Sequence, residues 1–207
     1  MMLIDTHAYL DSPEFAEDLD DILLRAKLAS VERIITIGRT LQSSRKAIQL
    51  AERYPQIYAS VGIHPNSVSQ EREDFLSELE EMVKHPRVVA VGQTGLDYYR
   101  LASKQEESEV SQTTFGAASF TTTENEIRDE AERAAQSAAF EQHLELAAAA
   151  GKSVVIHQRD SWEDTIEILR KLNPCSSSDA LFRCGSGTST GSSGSRPFRF
   201  VRRNRDV

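Results

Sequence analysis

Three histidines in this chain stand at the ends of apolar runs. His7 follows Met2-Leu3-Ile4 after an acid and a hydroxyl, His64 follows Val61-Gly62-Ile63, and His157 closes Val154-Val155-Ile156. Two more polar groups, Gln93 and Asp97, follow Val88-Val89-Ala90-Val91-Gly92. Continuous apolar runs of this kind mark buried strands of a parallel sheet. Polar residues just beyond such strands sit at the sheet edge where ligands gather, in barrels and open sheets alike. Imidazoles raised on separate strands of one sheet are a common way to hold Zn²⁺ or a similar cation. Such an ion activates water and polarises a phosphoryl oxygen. The blander reading of His7 alone is a strand-end histidine that only bonds its neighbours.

The elements that must position these groups alternate. Phe15, Leu19, Ile22, Leu23 and Ala26 recur at helical spacing behind Ser12-Pro13, so a helix follows the first strand. Arg33 to Gly38 reads as a strand and Ser43 to Tyr54 as a helix stopped by Pro55. Ile57 to Gly62 is a third strand; Phe75 to Val83 marks a helix before the fourth strand. Residues 101–129 are rich in Ser, Thr and Glu and are expected to form an inserted low-complexity loop. Helical spacing returns from Glu130, with Gly151 as the cap. Lys152 to His157 is the fifth strand and Trp162 to Leu172 the last helix. This rhythm predicts an α/β domain over residues 1–174 built from five clear βα units, with a poorly marked sixth strand near Ala180 to Phe182. Residues 175–207 read as an irregular tail rich in Ser, Gly and Arg.

Composition narrows the function classes. Among 207 residues, 24 are basic and 32 acidic, a net charge of −8. That balance argues against a broadly basic surface that coats nucleic acid. It leaves room for a local cleft whose charge is set by metal ions. The arginines of the tail are read as a solvated end. Two cysteines, Cys175 and Cys184, imply no disulfide framework. No apolar run reaches membrane-spanning length and no leader segment is read, so no membrane partner is expected and a cytoplasmic location is the simplest.

The runs Ile4-Asp5-Thr6-His7, Val61-Gly62-Ile63-His64-Pro65, Gly95-Leu96-Asp97-Tyr98-Tyr99, Phe140-Glu141-Gln142-His143-Leu144-Glu145-Leu146-Ala147 and Val155-Ile156-His157-Gln158-Arg159-Asp160 occur in this order. Together they resemble the TatD-type metal-dependent hydrolases, a deoxyribonuclease family. The resemblance implies a TIM-like (β/α) barrel, incomplete here because a closed barrel needs eight strands. It also implies a two-metal site for Mg, Zn or Mn and cleavage of phosphodiester bonds in DNA. It assigns His7 and His157 as metal ligands, Asp97 a catalytic role, and His64 and Arg159 as substrate contacts. The chain reads as a degenerate, C-terminally truncated member.

Three positions depart from the family pattern. Tyr9 stands where a second histidine is expected, Gln93 where a bridging glutamate is expected, and Arg183 where a later histidine is expected. A neutral amide cannot offset two cations, a phenol is a poor ligand while protonated, and a guanidinium repels a metal. Metal binding is therefore expected to be weak, and nuclease activity weak or lost. Two alternatives stay open. One is a non-catalytic relic that binds nucleic acid or a protein partner. The other is an amidohydrolase-like enzyme with a different substrate.

Overall fold

The computed structural model describes residues 2–72, 74–101, 103 and 122–172. Alternation within the apolar runs explains the sheet. Ile34, Val91 and Val154 point to one face and Ile37, Ala90 and Val155 to the other. The first group joins the main core between the sheet and its helices, with Leu79, Leu96, Phe140 and Leu144. The second forms a smaller cluster against which Tyr9 and Ile35 pack.

Five strands, β1 (Leu3–Ala8), β2 (Val31–Ile37), β3 (Ile57–Val61), β4 (Val88–Asp97) and β5 (Ser153–Arg159), form one sheet in that order. All four pairings are parallel. Helices α1 (Leu19–Leu28), α2 (Leu41–Arg53), α3 (Phe75–Met82) and α4 (Thr122–Ala150) connect them, and α5 (Trp162–Leu172) follows β5. Because every strand runs the same way, the C-terminal ends of all five lie along one rim. Gly95 lets β4 approach β5 there: its φ is +131°, and a Cβ would run into the His157 carbonyl.

Three expectations need correction. The first strand is not buried: Leu3 and Ile4 are 43% and 49% exposed, because β1 is the edge of the sheet and has a neighbour on one side only. Ser12-Pro13 opens only a short 3₁₀ turn, Pro13–Phe15, and Ser12 makes no side-chain cap. The loop expected to run to residue 129 ends earlier, since α4 begins at Thr122. Its first turns carry polar residues, which hide helical periodicity, yet Asn125 and Asp129 are buried and Asp129 accepts from Ser103 N and Oγ. The poorly marked sixth strand, Arg183 and the 175–207 tail lie outside the described residues.

Candidate active site

The parallel sheet brings the predicted residues to one rim. His7 lies in β1, His64 follows β3 after Gly62 and Ile63, Gln93 lies within β4 and Asp97 ends it, and His157 and Arg159 lie in the last three residues of β5. Register places Gly95 beside His157 and Asp97 beside Arg159. His7 and His157 are on the same edge, linked through two intermediates.

Those intermediates, Tyr9 and Gln93, are two of the three departures. His7 Nε2 lies 2.9 Å from Tyr9 Oη. Tyr9 Oη donates to Gln93 Oε1 at 2.8 Å. Gln93 Nε2 lies 3.0 Å from His157 Nδ1, and His157 Nε2 lies 3.0 Å from Asp97 Oδ2. An amide NH₂ can only donate, so His157 Nδ1 accepts and its proton sits on Nε2. The single Tyr9 proton is given to Gln93, so His7 Nε2 is the donor to Tyr9. The tyrosine and glutamine thus satisfy each other and the two histidines.

Asp97 is the hub of the other half. It is 2% exposed and accepts from His157, from Asn66 Nδ2 at 3.0 Å and from Tyr99 N at 3.2 Å. Burial works to raise its pKa, but the bonds from His157 and Asn66 outweigh it, and the carboxyl stays below its ordinary value. His64 packs on His157 with ring centroids 4.3 Å apart. Burial first, then the neighbouring His157, push His64 down to about 3 against the opposing pull of Asp97. It is therefore neutral near pH 7, and its Nδ1 accepts from Asn66 N at 3.2 Å.

His64, Asp97 and His157 bring ligand atoms within 4.8 Å of one another. Two imidazoles and a carboxylate are a donor set that catalytic zinc uses, so these residues fit one divalent cation. The set formed by His7, Tyr9 and Gln93 fits poorly, because a phenol and an amide bring no anionic donor and only one imidazole is present.

Cations of the chain flank the cluster. The Arg159 guanidinium lies over the Tyr99 ring at 3.5 Å, and Arg39 over the Tyr9 ring at 4.5 Å. Arg39 and Arg100 both disfavour the charged form of His64, which places their fields in the site.

Sequence reasoning missed four contributors. Asn66 follows the His64-Pro65 pair directly, a signal that was available. Gln136 accepts from Asp97 N at 2.9 Å and is 1% exposed. It shares a helix face with Phe140 and His143, at spacings of four and seven. His143, quoted within the run Phe140 to Ala147 but given no role, is fully buried and its Nε2 accepts from Ile63 N at 3.0 Å, next to His64. Arg39 had no motif to mark it.

The sequence profile of the TatD related DNase family matches residues 4–191. The chain belongs to that family. A Bacillus subtilis protein described as an uncharacterized metal-dependent hydrolase, YabD, is 30% identical over 170 residues, which is 82% of this chain and 56% of that protein. The Edwardsiella piscicida protein named 3′-5′ ssDNA/RNA exonuclease TatD is 31% identical over 169 residues, 81% of this chain and 54% of its own length. The crystal structure of YjjV, a TatD homologue from Escherichia coli K12, superimposes with a TM-score of 0.63 at 26% identity, covering 82% of this chain and 55% of that one. A TatD family hydrolase from Entamoeba histolytica, at 23% identity and a TM-score of 0.60, shares the fold. The five strands are thus the half-barrel of a TIM-like TatD fold, and the chain spans a little over half the length of these TatD relatives.

Proposed function

We propose that this chain carries part of a metal-dependent hydrolytic site for phosphodiester bonds in nucleic acid, with DNA as substrate and weak activity. The observation that supports it most is the His64–Asp97–His157 cluster at the strand rim, flanked by Arg39 and Arg159. The name of the Edwardsiella relative points to single-stranded ends as the place of attack.

His64, Asp97 and His157 would hold the cation; nitrogen donors favour Zn²⁺ or Mn²⁺ over Mg²⁺. A cation bound there supplies Lewis-acid chemistry to a phosphoryl oxygen and to water. The rest falls to the chain. Asp97 remains ionised, which supplies the negative charge a cation needs. His64 remains neutral, so it adds no competing positive charge. Arg159 and Arg39 present guanidinium groups on two sides of the cluster, suited to phosphate oxygens of a strand. Tyr99, 51% exposed, offers a ring edge to a base beside the guanidinium it carries.

The test is an end-labelled single-stranded oligonucleotide incubated with the full chain and Mn²⁺, Zn²⁺ or Mg²⁺. Slow release of nucleotides that needs the metal, and that Asp97→Asn removes, is the expected result. A second reading, a metal-independent nucleic-acid binder, is favoured by the self-satisfied Tyr9–Gln93 pair. It wins if binding is salt-sensitive, indifferent to chelator, and without turnover.

A further inference from the structure

The chain of hydrogen bonds across the rim has a direction. It runs from His7 to Tyr9 to Gln93 to His157 to Asp97, each group donating to the next. Gln93 transmits that direction because a primary amide has an acceptor at one end and a donor at the other. Gln93 is 6% exposed, so a mismatched end finds little solvent in compensation.

As it stands, the chain works against cation binding. The His157 nitrogen that faces Asp97 carries a proton, and a protonated ring nitrogen has no lone pair to give. A neutral imidazole frees Nε2 only by carrying its proton on Nδ1. That proton would then meet the NH₂ of Gln93, donor against donor. The conflict is relieved when the amide turns over. Gln93 Oε1 then accepts from His157 Nδ1, its NH₂ donates to Tyr9 Oη, Tyr9 donates to His7 Nε2, and His7 carries its proton on Nδ1. Two imidazoles change tautomer, and the number of protons is unchanged. His64 must likewise present an unprotonated nitrogen, but it gives up only the longer contact from Asn66 N.

We propose that Gln93 is a positioning residue whose amide orientation decides which nitrogen of His157 holds the proton, and thereby whether the His64–Asp97–His157 cluster can accept a divalent cation. The proposal rests on the cation site described under Proposed function. A glutamate at this position accepts at both ends, so it holds the receptive direction with no reversal. The observed glutamine makes the cation work against the reversal of the whole row.

The experiment combines ¹⁵N NMR of the histidine rings with calorimetric titration of Zn²⁺ into the full chain. It uses the original protein, Gln93→Glu and Tyr9→Phe. Without zinc, His157 is expected as the Nε2–H tautomer in the original protein and as Nδ1–H in Gln93→Glu. Zinc converts the original protein to Nδ1–H. Gln93→Glu tightens the zinc Kd by roughly tenfold or more, the scale of one hydrogen bond. Tyr9→Phe cuts the row at the next link without adding charge and tightens it by roughly threefold. A zinc-free original protein with His157 as Nδ1–H overturns the proposal. So does a swapped tautomer with unchanged Kd in both variants, which leaves the cation site standing. A gain confined to Gln93→Glu reads as added charge and also counts against it. Absence of binding heat from all three proteins at millimolar zinc removes the cation site itself, and the proposal with it.

Discussion

His143 gives a sharp test of how the helix layer supports the rim. Its side chain is fully buried, with Nδ1 2.6 Å from the Ala139 carbonyl and Nε2 accepting from Ile63 N at 3.0 Å. Replacement by leucine keeps the bulk but leaves the buried Ile63 N–H without an acceptor, a loss of about 2 kcal/mol at pH 7. Burial also pushes His143 down from 6.5 to about 4, with the Ala139 carbonyl opposing. The unfolded chain takes up a proton below 6.5, while the folded chain refuses it until about pH 4. Stability from the neutral ring is therefore full above 6.5 and lost as pH falls toward 4. At about 1.4 kcal/mol for each pH unit, the loss reaches about 3 kcal/mol by pH 4. His64 adds a similar slope, but both proteins keep it, so it cancels in the comparison. Urea unfolding of the original protein and His143→Leu at several pH values should show a gap of about 2 kcal/mol at pH 7 that closes, and slightly reverses, near pH 4. Two curves that stay parallel from pH 7 to 4 would refute the reasoning.

Asp97→Asn removes the one carboxylate of the cation cluster, so titration should show no zinc binding, while thermal melting records a cost of about 1–2 kcal/mol for the weakened bonds from His157 and Asn66. Arg159→Gln should lower the affinity for a single-stranded oligonucleotide and reduce the slope of log K against log salt by about one; an unchanged slope would mean that this guanidinium touches no phosphate. Chelation should abolish hydrolysis and lower the melting temperature only as far as that of the metal-free chain, in which the row from His7 to Asp97 still holds the rim together.

The fold was legible where side-chain period and strand ends agree. Val88 to Val91 and Val154 to Ile156 announced buried strands, and the histidines and Gln93 behind them announced a rim. What could not be read was reciprocity. Tyr9 and Gln93, taken singly, look like two lost ligands; only their 2.8 Å bond shows that each supplies what the other needs. The start of α4 was hidden for a related reason. Asn125 and Asp129 look like loop residues, and it takes Ser103, brought close in space, to make a buried aspartate tolerable on a helix. Leu3 and Ile4 failed in the opposite sense: their types are those of a core strand, and position at the sheet edge overrides type.

The pairing of Tyr9 with Gln93 also constrains how such a protein can change over generations. Because the two side chains share one proton, neither position is free to drift while the other stands still. A histidine at position 9 alone inherits a partner amide that still points the wrong way for His157, and a glutamate at position 93 alone inherits a phenol. The effect of replacing both should therefore differ from the sum of the two single effects, by an amount set by one interatomic contact.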